Sequence, residues 1–432
     1  MDLQWKILIG IAGGLVLGLV FNRLDTIGPL VGVLGVLKLI FSYGGDIFIR
    51  LLRMLIVPLV FASIFMSIVR LGNLRELKKI GASTLLYYLA TTALAVFVGM
   101  IMVNLVHPGL GVNSQAIQEL NIQNSIPDAV LRQNVGQKNA IIIIIDTLVD
   151  MIPTNPIAAL AKADILQVIF FSILMAIVAA SLGKRVEPFV KVVENIDDMM
   201  NRAIFIVMEI APICIFFLVT QLMMDLGFSV LAALGKYAIT VLSGLFFHAV
   251  ITLPLLVFFV GKYNPFRLFK SVLPAIMTAW STASSTATLP ITMECMEKRA
   301  GVDRKIGSFV LPLGATINMD GTALYESVAV IFIAELLGVP LSLNMQVIIF
   351  VTATLAAIGA AAIPGAGLVT MGIVLSAVGL PLEGIGLILA VDRILDQFRT
   401  AVNVWGDTTA AVVVGRMENA IDVSSTPLEN VG

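Results

Sequence analysis

Five side chains with complementary chemistry recur near the carboxyl end of the chain at intervals typical of one helix face. Spacings of 4, 3, 4 and 4 residues, at about 100° per residue, place them within an arc of about 80°; they are Asp392, Asp396, Arg399, Asn403 and Asp407. The apolar residues between them predict one helix over about 385–416. Charged groups in an apolar segment mark a binding site or a transport pathway by default. The alternative is a structural ladder of ion pairs, which three carboxylates facing a single cation, Arg399, would leave unbalanced.

Arg399 indicates what such a site could bind. Its planar guanidinium matches a carboxylate through two parallel hydrogen bonds. Asp396, one turn earlier, suits an ammonium group, and Asn403, one turn later, can donate to a second carboxylate. The backbone N–H groups of a helix that starts after Ser284 and Ser285 could add donors for an anion. Two carboxylates and one ammonium describe aspartate or glutamate, whereas a C4-dicarboxylate such as succinate or malate would need no ammonium partner, so Asp396 speaks against it.

The charges of this set predict coupled cations. With Asp320 added from an earlier motif, the carboxylates leave about three excess negative charges against Arg399 if all ionise. Low-dielectric surroundings do not hold such a charge without protons or metal cations. Backbone carbonyls that glycines permit at 314–322 and 359–367, with Asn and Asp oxygens, are hard ligands suited to Na⁺. Sodium is therefore the predicted coupled ion, and protons are the alternative.

The composition places these residues in a membrane. Of 432 residues, 59% are hydrophobic and 13% are charged, and the mean hydropathy is +1.01. Six apolar runs are each about long enough to cross ~30 Å of hydrocarbon; they are 7–21, 54–69, 85–106, 165–182, 203–222 and 238–260. The formal net charge of −1 argues against nucleic-acid binding. Two cysteines and two histidines are too few for a zinc site or a metal cluster.

The basic residues predict the orientation of the chain. They cluster in the connections after the second, fourth and sixth apolar runs, and the alternate connections carry fewer of them. By the positive-inside rule, the N-terminus is predicted to be cytoplasmic, with six spans before about residue 262, and the polar stretch 109–138 is predicted to be an external loop. The stretch after Lys6 continues into the first run without a small-residue cleavage site, so it is predicted to be an anchor in the cell membrane.

Two apolar segments in the second half are interrupted. Segment 271–290 contains a run of hydroxyl residues that ends at Pro290, and segment 347–375 contains Gly359, Pro364 and Gly367. Irregular backbone at membrane depth must be buried by protein or line a watery cavity, which favours re-entrant helical hairpins over ordinary kinked helices. Each segment is followed by an apolar helix with an Asn, Gly, Asp and Thr motif. Interrupted segments at corresponding places in two repeats indicate the binding site of a transporter.

Four motifs carry a family resemblance: Gly314-Ala-Thr-Ile-Asn-Met-Asp-Gly-Thr322, Thr288-Leu-Pro290, Ile363-Pro-Gly-Ala-Gly367 and Asp392-x3-Asp396-x2-Arg399-Thr-x2-Asn403-x3-Asp407. Together they resemble the dicarboxylate/amino acid:cation symporters, which include the excitatory amino acid transporters and archaeal aspartate transporters. The resemblance spans essentially the whole chain. It implies an all-α polytopic membrane protein with eight transmembrane helices, two re-entrant hairpins and inverted repeats, which forms a homotrimer in the lipid bilayer and works as an elevator.

The resemblance also implies a division of the chain. Residues 1–262 would form six spans, mostly a trimerisation scaffold, with the third and sixth spans moving with the transport domain. Residues 263–418 would form that transport domain from hairpin 1, helix 7, hairpin 2 and helix 8, and residues 419–432 would form a cytoplasmic tail.

The site residues are carried over by motif. Arg399 would bind the side-chain carboxylate of an acidic amino acid, Asp396 its ammonium group and Asn403 its α-carboxylate. The whole implied substrate set is Ser284, Ser285, Thr322, Ile363, Gly367, Asp396, Arg399, Thr400 and Asn403. Sodium ions would bind at three sites, with no organic cofactor. The first would use Gly314, Asn318, Asn403 and Asp407; the second Tyr88, Thr91, Thr92, Asn318 and Asp320; the third Thr316 and carbonyls near Ala357, Ile358 and Ala360.

Two positions depart from some family members, and two other functions compete. Ala283 and Gln397 stand where some members carry an extra arginine, which affects the expected turnover more than the substrate class. An anion channel could use the same polar midplane as a pore lining. An intramembrane enzyme could use Ser284 or Ser285 as a nucleophile, but residues 263–432 contain no histidine to activate it.

Overall fold

The protein is helical throughout the part that the computed structural model describes, which is residues 3–24, 31–72, 78–110, 149, 151–226, 229–359 and 366–418. In chain order the helices are α1 (Leu3–Leu24), α2 (Val31–Gly72), α3 (Lys78–Val106), α4 (Pro156–Lys162), α5 (Ile165–Leu182), α6 (Glu187–Leu226), α7 (Ser229–Phe247), α8 (Leu253–Phe259), α9 (Pro265–Thr282), α10 (Ser285–Lys298), α11 (Arg304–Ile317), α12 (Asp320–Leu336), α13 (Leu343–Ala356), α14 (Ala366–Ala377) and α15 (Ile385–Met417).

Local sequence signals start several helices in the second half. Asn264 caps α9, because its side-chain oxygen accepts hydrogen bonds from two backbone N–H groups of the first turn, and proline follows at the first helical position. Asp303 caps α11 and Ser342 caps α13, each by accepting a hydrogen bond from one backbone N–H group of the first turn. Ser284 caps α10, and Ala283 before it lies in the left-handed region with φ 50°. The turn between α9 and α10 thus falls within the predicted hydroxyl run.

The helices pack in two groups. In the first, α1 and α2 lie along α6, and α2 also packs against α5. In the second, α15 is enclosed by α9, α11, α12 and α7, while α3 packs against both α12 and α7. Helices α9 and α10 pack against each other, as do α13 and α14. Nearly every residue of α12 is buried, as expected for a helix that is apolar on all sides.

The outer surface of the helices is apolar. Large side chains such as Leu86, Phe246 and Phe259 are more than two-thirds exposed on α3, α7 and α8. Within the described residues, six helical segments are long and apolar enough to cross a membrane. One of these, Leu166–Gln221, contains both α5 and most of α6. An all-helical protein with several membrane-length helices is therefore confirmed, and the total of eight transmembrane helices stays a prediction.

Most predicted elements form, with different lengths. All six apolar runs are helical, and the helix predicted over about 385–416 is α15, Ile385–Met417. Helices α2 and α6 are much longer than the apolar runs that predicted them. The sixth run is not one regular helix, because a π-helical turn at His248–Thr252 joins α7 to α8. Most of the predicted external loop and the whole predicted tail, 419–432, lie outside the described residues.

Candidate substrate and cation sites

Arg399 of α15 lies at the centre of the polar cluster and is almost completely buried, with 1% of its surface exposed. Its Nη2 atom donates to Oδ1 of Asp396 at 2.7 Å, and Nη1 lies 3.1 Å from Oδ1 of Asp392. The guanidinium also lies over the ring of Tyr325 in α12, 3.8 Å from the ring centroid. The hydroxyl of Tyr325 in turn donates to Asp392 at 2.6 Å. The guanidinium is therefore held between carboxylates and an aromatic face.

Three helices meet at this guanidinium. A Cβ atom on Gly367 of α14 would lie 3.2 Å from Nη1 of Arg399 and 3.3 Å from Cγ2 of Thr322 in α12, so glycine permits this close approach. Asn403 orients its amide by accepting a hydrogen bond from the backbone N–H of Gly321 at 2.8 Å. Its Nδ2 atom then lies 3.3 Å from the hydroxyl of Thr322. An arginine, a carboxylate, an amide and a hydroxyl thus converge, as recognition of an amino acid requires.

The remaining predicted substrate residues lie less directly in this cluster. Thr400 turns its hydroxyl to the backbone oxygen of Asp396, one turn back in its own helix, at 2.8 Å. Ser284 caps α10 by accepting from the N–H of Ala287 at 3.2 Å, and Ser285 beside it is buried. Their turn approaches α15 through the rings of Trp280 and Phe398, whose centroids are 6.2 Å apart. Ile363 lies outside the described residues.

The residues of the first predicted cation site meet where the break between α11 and α12 packs against α15. The Nδ2 atom of Asn318 donates to Oδ1 of Asp407 at 2.9 Å and to the backbone oxygen of Asn403 at 3.2 Å. These two acceptors orient the amide, so its Oδ1 atom is the free end. That oxygen is buried and has no hydrogen-bond partner among the described residues. A bound cation would accept this oxygen as a ligand and would also balance the negative charge of the neighbouring Asp407 carboxylate. A buried, unpartnered acceptor beside a carboxylate therefore fits a cation site.

The second predicted site centres on Asp320 at the first turn of α12. Its Oδ1 atom accepts hydrogen bonds from the hydroxyls of Thr92 at 2.7 Å and Thr91 at 3.3 Å, both in α3. Tyr88, one turn earlier in α3, donates its hydroxyl to the backbone oxygen of Val310 instead. Asp320 is fully buried, so its carboxylate needs a positive partner. Four of the five predicted ligands belong to α3 and α12, and Asn318 lies at the helix break beside them.

The third predicted site is assembled only in part. The hydroxyl of Thr316 donates to the backbone oxygen of Leu313 in its own helix at 2.9 Å. Helix α11 packs against the turn formed by Ala357, Ile358 and Gly359. Ala360 lies outside the described residues. No group of three or more His, Cys, Asp or Glu residues within the described ranges could hold a metal ion, so any cation here would depend on carbonyl, hydroxyl and amide oxygens.

Sequence reasoning missed a second buried cation. It took Arg399 as the single cation facing the carboxylates, and this is wrong, because Nη1 of Arg393 lies 3.1 Å from Oδ2 of Asp396. Arg393 lies about 40° beyond the arc of the five polar residues, but it precedes Asp396 by three residues, a spacing at which helical side chains meet. The arginine side chain is long enough to reach back to the polar face. Helical phase describes where a side chain starts, and for arginine this differs from where its charge lies.

Two further ionisable groups were also missed. Glu326 of α12 is fully buried and accepts a hydrogen bond from the hydroxyl of Thr370 in α14. Its other carboxyl oxygen has no hydrogen-bond partner in the described part of the chain. His248, in the π-helical turn, lies with Nε2 at 3.2 Å from Oδ2 of Asp320. The signal for both was available, because an ionisable residue inside an apolar span is functional by default.

These additions revise the charge of the cluster. Among the described residues, the buried carboxyl groups of this cluster are Asp320, Glu326, Asp392, Asp396 and Asp407, and its buried guanidinium groups are Arg393 and Arg399. The excess of about three negative charges expected from the sequence remains if all ionise, although the members differ. Pairing within α15 satisfies Asp392 and Asp396. Of the other three, Asp320 and Asp407 lie at the break between α11 and α12, where the cation sites are predicted, and Glu326 lies further along α12 beside Thr370.

Comparison with known proteins is consistent with this arrangement. Residues 3–417 match the model of the sodium:dicarboxylate symporter family. An excitatory amino acid transporter of Caenorhabditis elegans is 38% identical over 86% of this chain and 80% of its own length. Excitatory amino acid transporter 3 of Mus musculus is 36% identical over 98% of this chain and 88% of its own length. The proton/glutamate-aspartate symporter of Escherichia coli is 35% identical over 98% of this chain and 94% of its own length. The chain therefore belongs to the sodium:dicarboxylate symporter family.

Proposed function

We propose that this protein is a secondary active transporter that carries aspartate or glutamate across the cell membrane together with sodium ions. The observation that carries the proposal is the buried guanidinium of Arg399, held beside Asp396 and against Thr322 and Gly367 from two other helices. A buried arginine fork of this kind recognises a carboxylate. The names of the relatives, which are glutamate, aspartate or excitatory amino acid transporters, support the same substrate class.

The substrate would exchange partners with the residues of α15. The side-chain carboxylate binds Arg399 and so releases part of its contact with Asp396. The ammonium group then binds the Asp396 carboxylate, and the α-carboxylate accepts from Nδ2 of Asn403. Thr322 and the backbone N–H groups after Ser284 complete the pocket. Each substrate group thus takes the place of a partner that Arg399, Asp396 or Asn403 has in the empty site. No buried charge of the site is left unpaired when the substrate binds.

Cation coupling follows from the position of the ion ligands. Asn318 and Asp320 flank the break between α11 and α12, and Thr322 lies within one turn of them. A cation on Asn318 and Asp407, or on Asp320 and the α3 threonines, would fix this break. Fixing it also fixes the backbone of Gly321, which orients Asn403. Sodium would therefore raise the affinity for the substrate, and the substrate would raise the affinity for sodium by the same factor.

The substrate and cation sites would lie in a domain that moves relative to a fixed scaffold in the membrane. The second packing group, with α9–α15 and the adjoining α3 and α7, forms the mobile transport domain, and the first group forms a scaffold for a homotrimer. Helices α9 and α10, and α13 and α14, form two re-entrant hairpins, of which the second closes over the substrate from outside. The termini face the cytoplasm. Packing of α3 and α7 on α12 supports their movement with the transport domain.

Proton coupling is the alternative to sodium. It is favoured by the Escherichia coli relative, which is named as a proton/glutamate-aspartate symporter. It is also favoured by the buried contact between His248 and Asp320, because a protonated imidazole could replace a cation at that carboxylate. A channel differs from both, because its flux would not saturate or show countertransport.

Isothermal titration of the purified protein tests the proposal. L-aspartate and L-glutamate should bind in sodium chloride and bind at least tenfold more weakly in choline chloride at the same ionic strength. L-alanine, which lacks the second carboxylate, should not compete in either salt. Equal aspartate affinity in both salts would exclude sodium coupling, and equal affinity for alanine would exclude the role of Arg399.

A further inference from the structure

Arg393 forms a contact that the proposed transport cycle has not used. Its side chain is about nine-tenths buried, and Nη1 donates to Oδ2 of Asp396 at 3.1 Å. Nε of Arg393 has no hydrogen-bond partner in the described part of the chain. The other carboxyl oxygen of Asp396, Oδ1, accepts from Arg399 at 2.7 Å. Both oxygens of the proposed ammonium acceptor are therefore bonded to guanidinium groups.

The two guanidinium groups are not equivalent. Arg399 is also paired with Asp392 and lies over the ring of Tyr325. It faces Thr322 and Gly367, where the substrate is proposed to bind, so a substrate carboxylate can draw it away from Asp396. Arg393 contacts the other oxygen of Asp396, Oδ2, whereas the atoms nearest to Gly367 belong to Arg399 and Thr322. After substrate entry, Arg393 remains paired with Asp396.

We infer that Arg393 is a built-in counter-ion of Asp396 that sets how strongly the transporter prefers ligands with an ammonium group. This inference rests on the proposed function. With Arg393 in place, a substrate ammonium binds a carboxylate whose charge is already partly compensated, so its attraction is weakened. A dicarboxylate without an amino group meets less repulsion from Asp396 for the same reason. Arg393 therefore lowers selectivity for amino acids and permits ligands of the succinate class.

The inference predicts opposite effects on two ligands when Arg393 is neutralised. In Arg393→Gln, Asp396 loses the positive charge that otherwise stays beside its Oδ2 atom when Arg399 turns to the substrate. L-aspartate should then bind more tightly and succinate more weakly. The ratio of the two dissociation constants should rise about tenfold or more, which corresponds to about 1.4 kcal/mol. A residue that only supports the fold would change both affinities in the same direction.

Titration of L-aspartate in sodium chloride, followed by competition with succinate, measures this ratio. Arg393→Lys keeps the positive charge at the position and should stay within about threefold of the wild-type ratio, since a lysine also pairs with a carboxylate. Arg416→Gln is the matched control, because it removes an exposed arginine near the end of the same helix. It should leave the ratio unchanged.

The outcomes separate this inference from the proposed function. Wild-type protein that binds neither ligand would overturn the proposed function and the inference with it. Wild-type protein that binds aspartate, but is not competed by succinate at any concentration, would overturn the inference alone. The same holds if Arg393→Gln weakens both ligands together, or if the ratio shifts equally in Arg393→Lys and Arg393→Gln.

Discussion

Gly314 of α11 offers a sharp test of the first cation site. A Cβ atom at this position would lie 2.4 Å from Oδ1 of Asp407 and 2.4 Å from the hydroxyl oxygen of Tyr88. Real Cβ contacts do not approach this closely, so in Gly314→Ala both side chains must move by about 1 Å. Asp407 would then lose its 2.9 Å hydrogen bond from Asn318. The substitution thus disturbs the cation site while it adds one methyl group and no charge.

The expected size of the effect on sodium binding follows from two costs, overpacking and the loss of a hydrogen bond. Overpacking a buried position costs about 1–3 kcal/mol, and loss of a hydrogen bond to a charged group costs about 1.5–3 kcal/mol. Part of this cost is relieved by relaxation, so about 2 kcal/mol remains against the cation-bound state. That corresponds to a rise of roughly thirtyfold in the sodium concentration that half-saturates aspartate binding. Affinity for aspartate extrapolated to saturating sodium should change much less.

The assay is a sodium titration of aspartate binding, with Gly307→Ala as the matched control. Gly307 lies on the same helix, but a Cβ atom there would meet only Leu311, at an ordinary 3.9 Å. Gly307→Ala should therefore bind sodium as the wild type does, and it should be slightly more stable, since alanine favours helices. Size-exclusion chromatography confirms that both variants fold. If Gly314→Ala shows the same sodium dependence as Gly307→Ala, the first cation site is not where we place it.

Three further predictions concern recognition, coupling and gating. Arg399→Thr should lose binding of dicarboxylic amino acids, at a cost of about 2–4 kcal/mol, and undiminished aspartate affinity in a titration would refute its role. Asp320→Asn and Asp407→Asn should each raise the sodium concentration needed for uptake more than they change the affinity for aspartate at saturating sodium; the reverse order would refute the cation sites. A cysteine at Ala366 should react quickly with an external thiol reagent in the empty protein and slowly with aspartate and sodium bound, and equal rates would mean that the second hairpin is not the gate.

The sequence predicts the helix that carries the site because its signal is periodic. The polar residues of α15 recur every three or four positions, and this spacing alone places Asp392, Asp396 and Arg399 on one face. Their mutual contacts within the helix follow from the same spacing. The contact of Arg393 with Asp396 has the same three-residue spacing as that of Asp396 with Arg399, so the sequence could have predicted it as well.

The spacing of residues within one helix does not predict contacts between helices that are far apart in the sequence. The approach of Gly367 and Thr322 to Arg399 joins three helices, and no local spacing specifies it. The same is true of His248, which lies on another helix and 72 residues before Asp320. An ionisable residue in an apolar span marks His248 as a candidate, but the sequence does not show which carboxylate it contacts.

Hydropathy also does not predict where a helix begins. The fifth apolar run, 203–222, begins about four turns after the first residue of α6. The preceding turns carry exposed charges and include the ion pair of Glu187 and Lys191 at 3.2 Å. Hydropathy reports contact with lipid, whereas helix length depends on propensity and on packing, here including the hydrogen bond from Ser63 of α2 to Asp197 at 2.6 Å.

Uptake of radiolabelled L-aspartate into proteoliposomes under imposed ion gradients tests the central claim most directly. An inward sodium gradient at equal pH on both sides should drive saturable accumulation above the external concentration, and excess unlabelled glutamate inside should accelerate entry by exchange. A proton gradient without sodium should not drive accumulation. Accumulation that follows the pH gradient and ignores sodium would contradict sodium coupling, and uptake that neither saturates nor exchanges would contradict a transporter altogether.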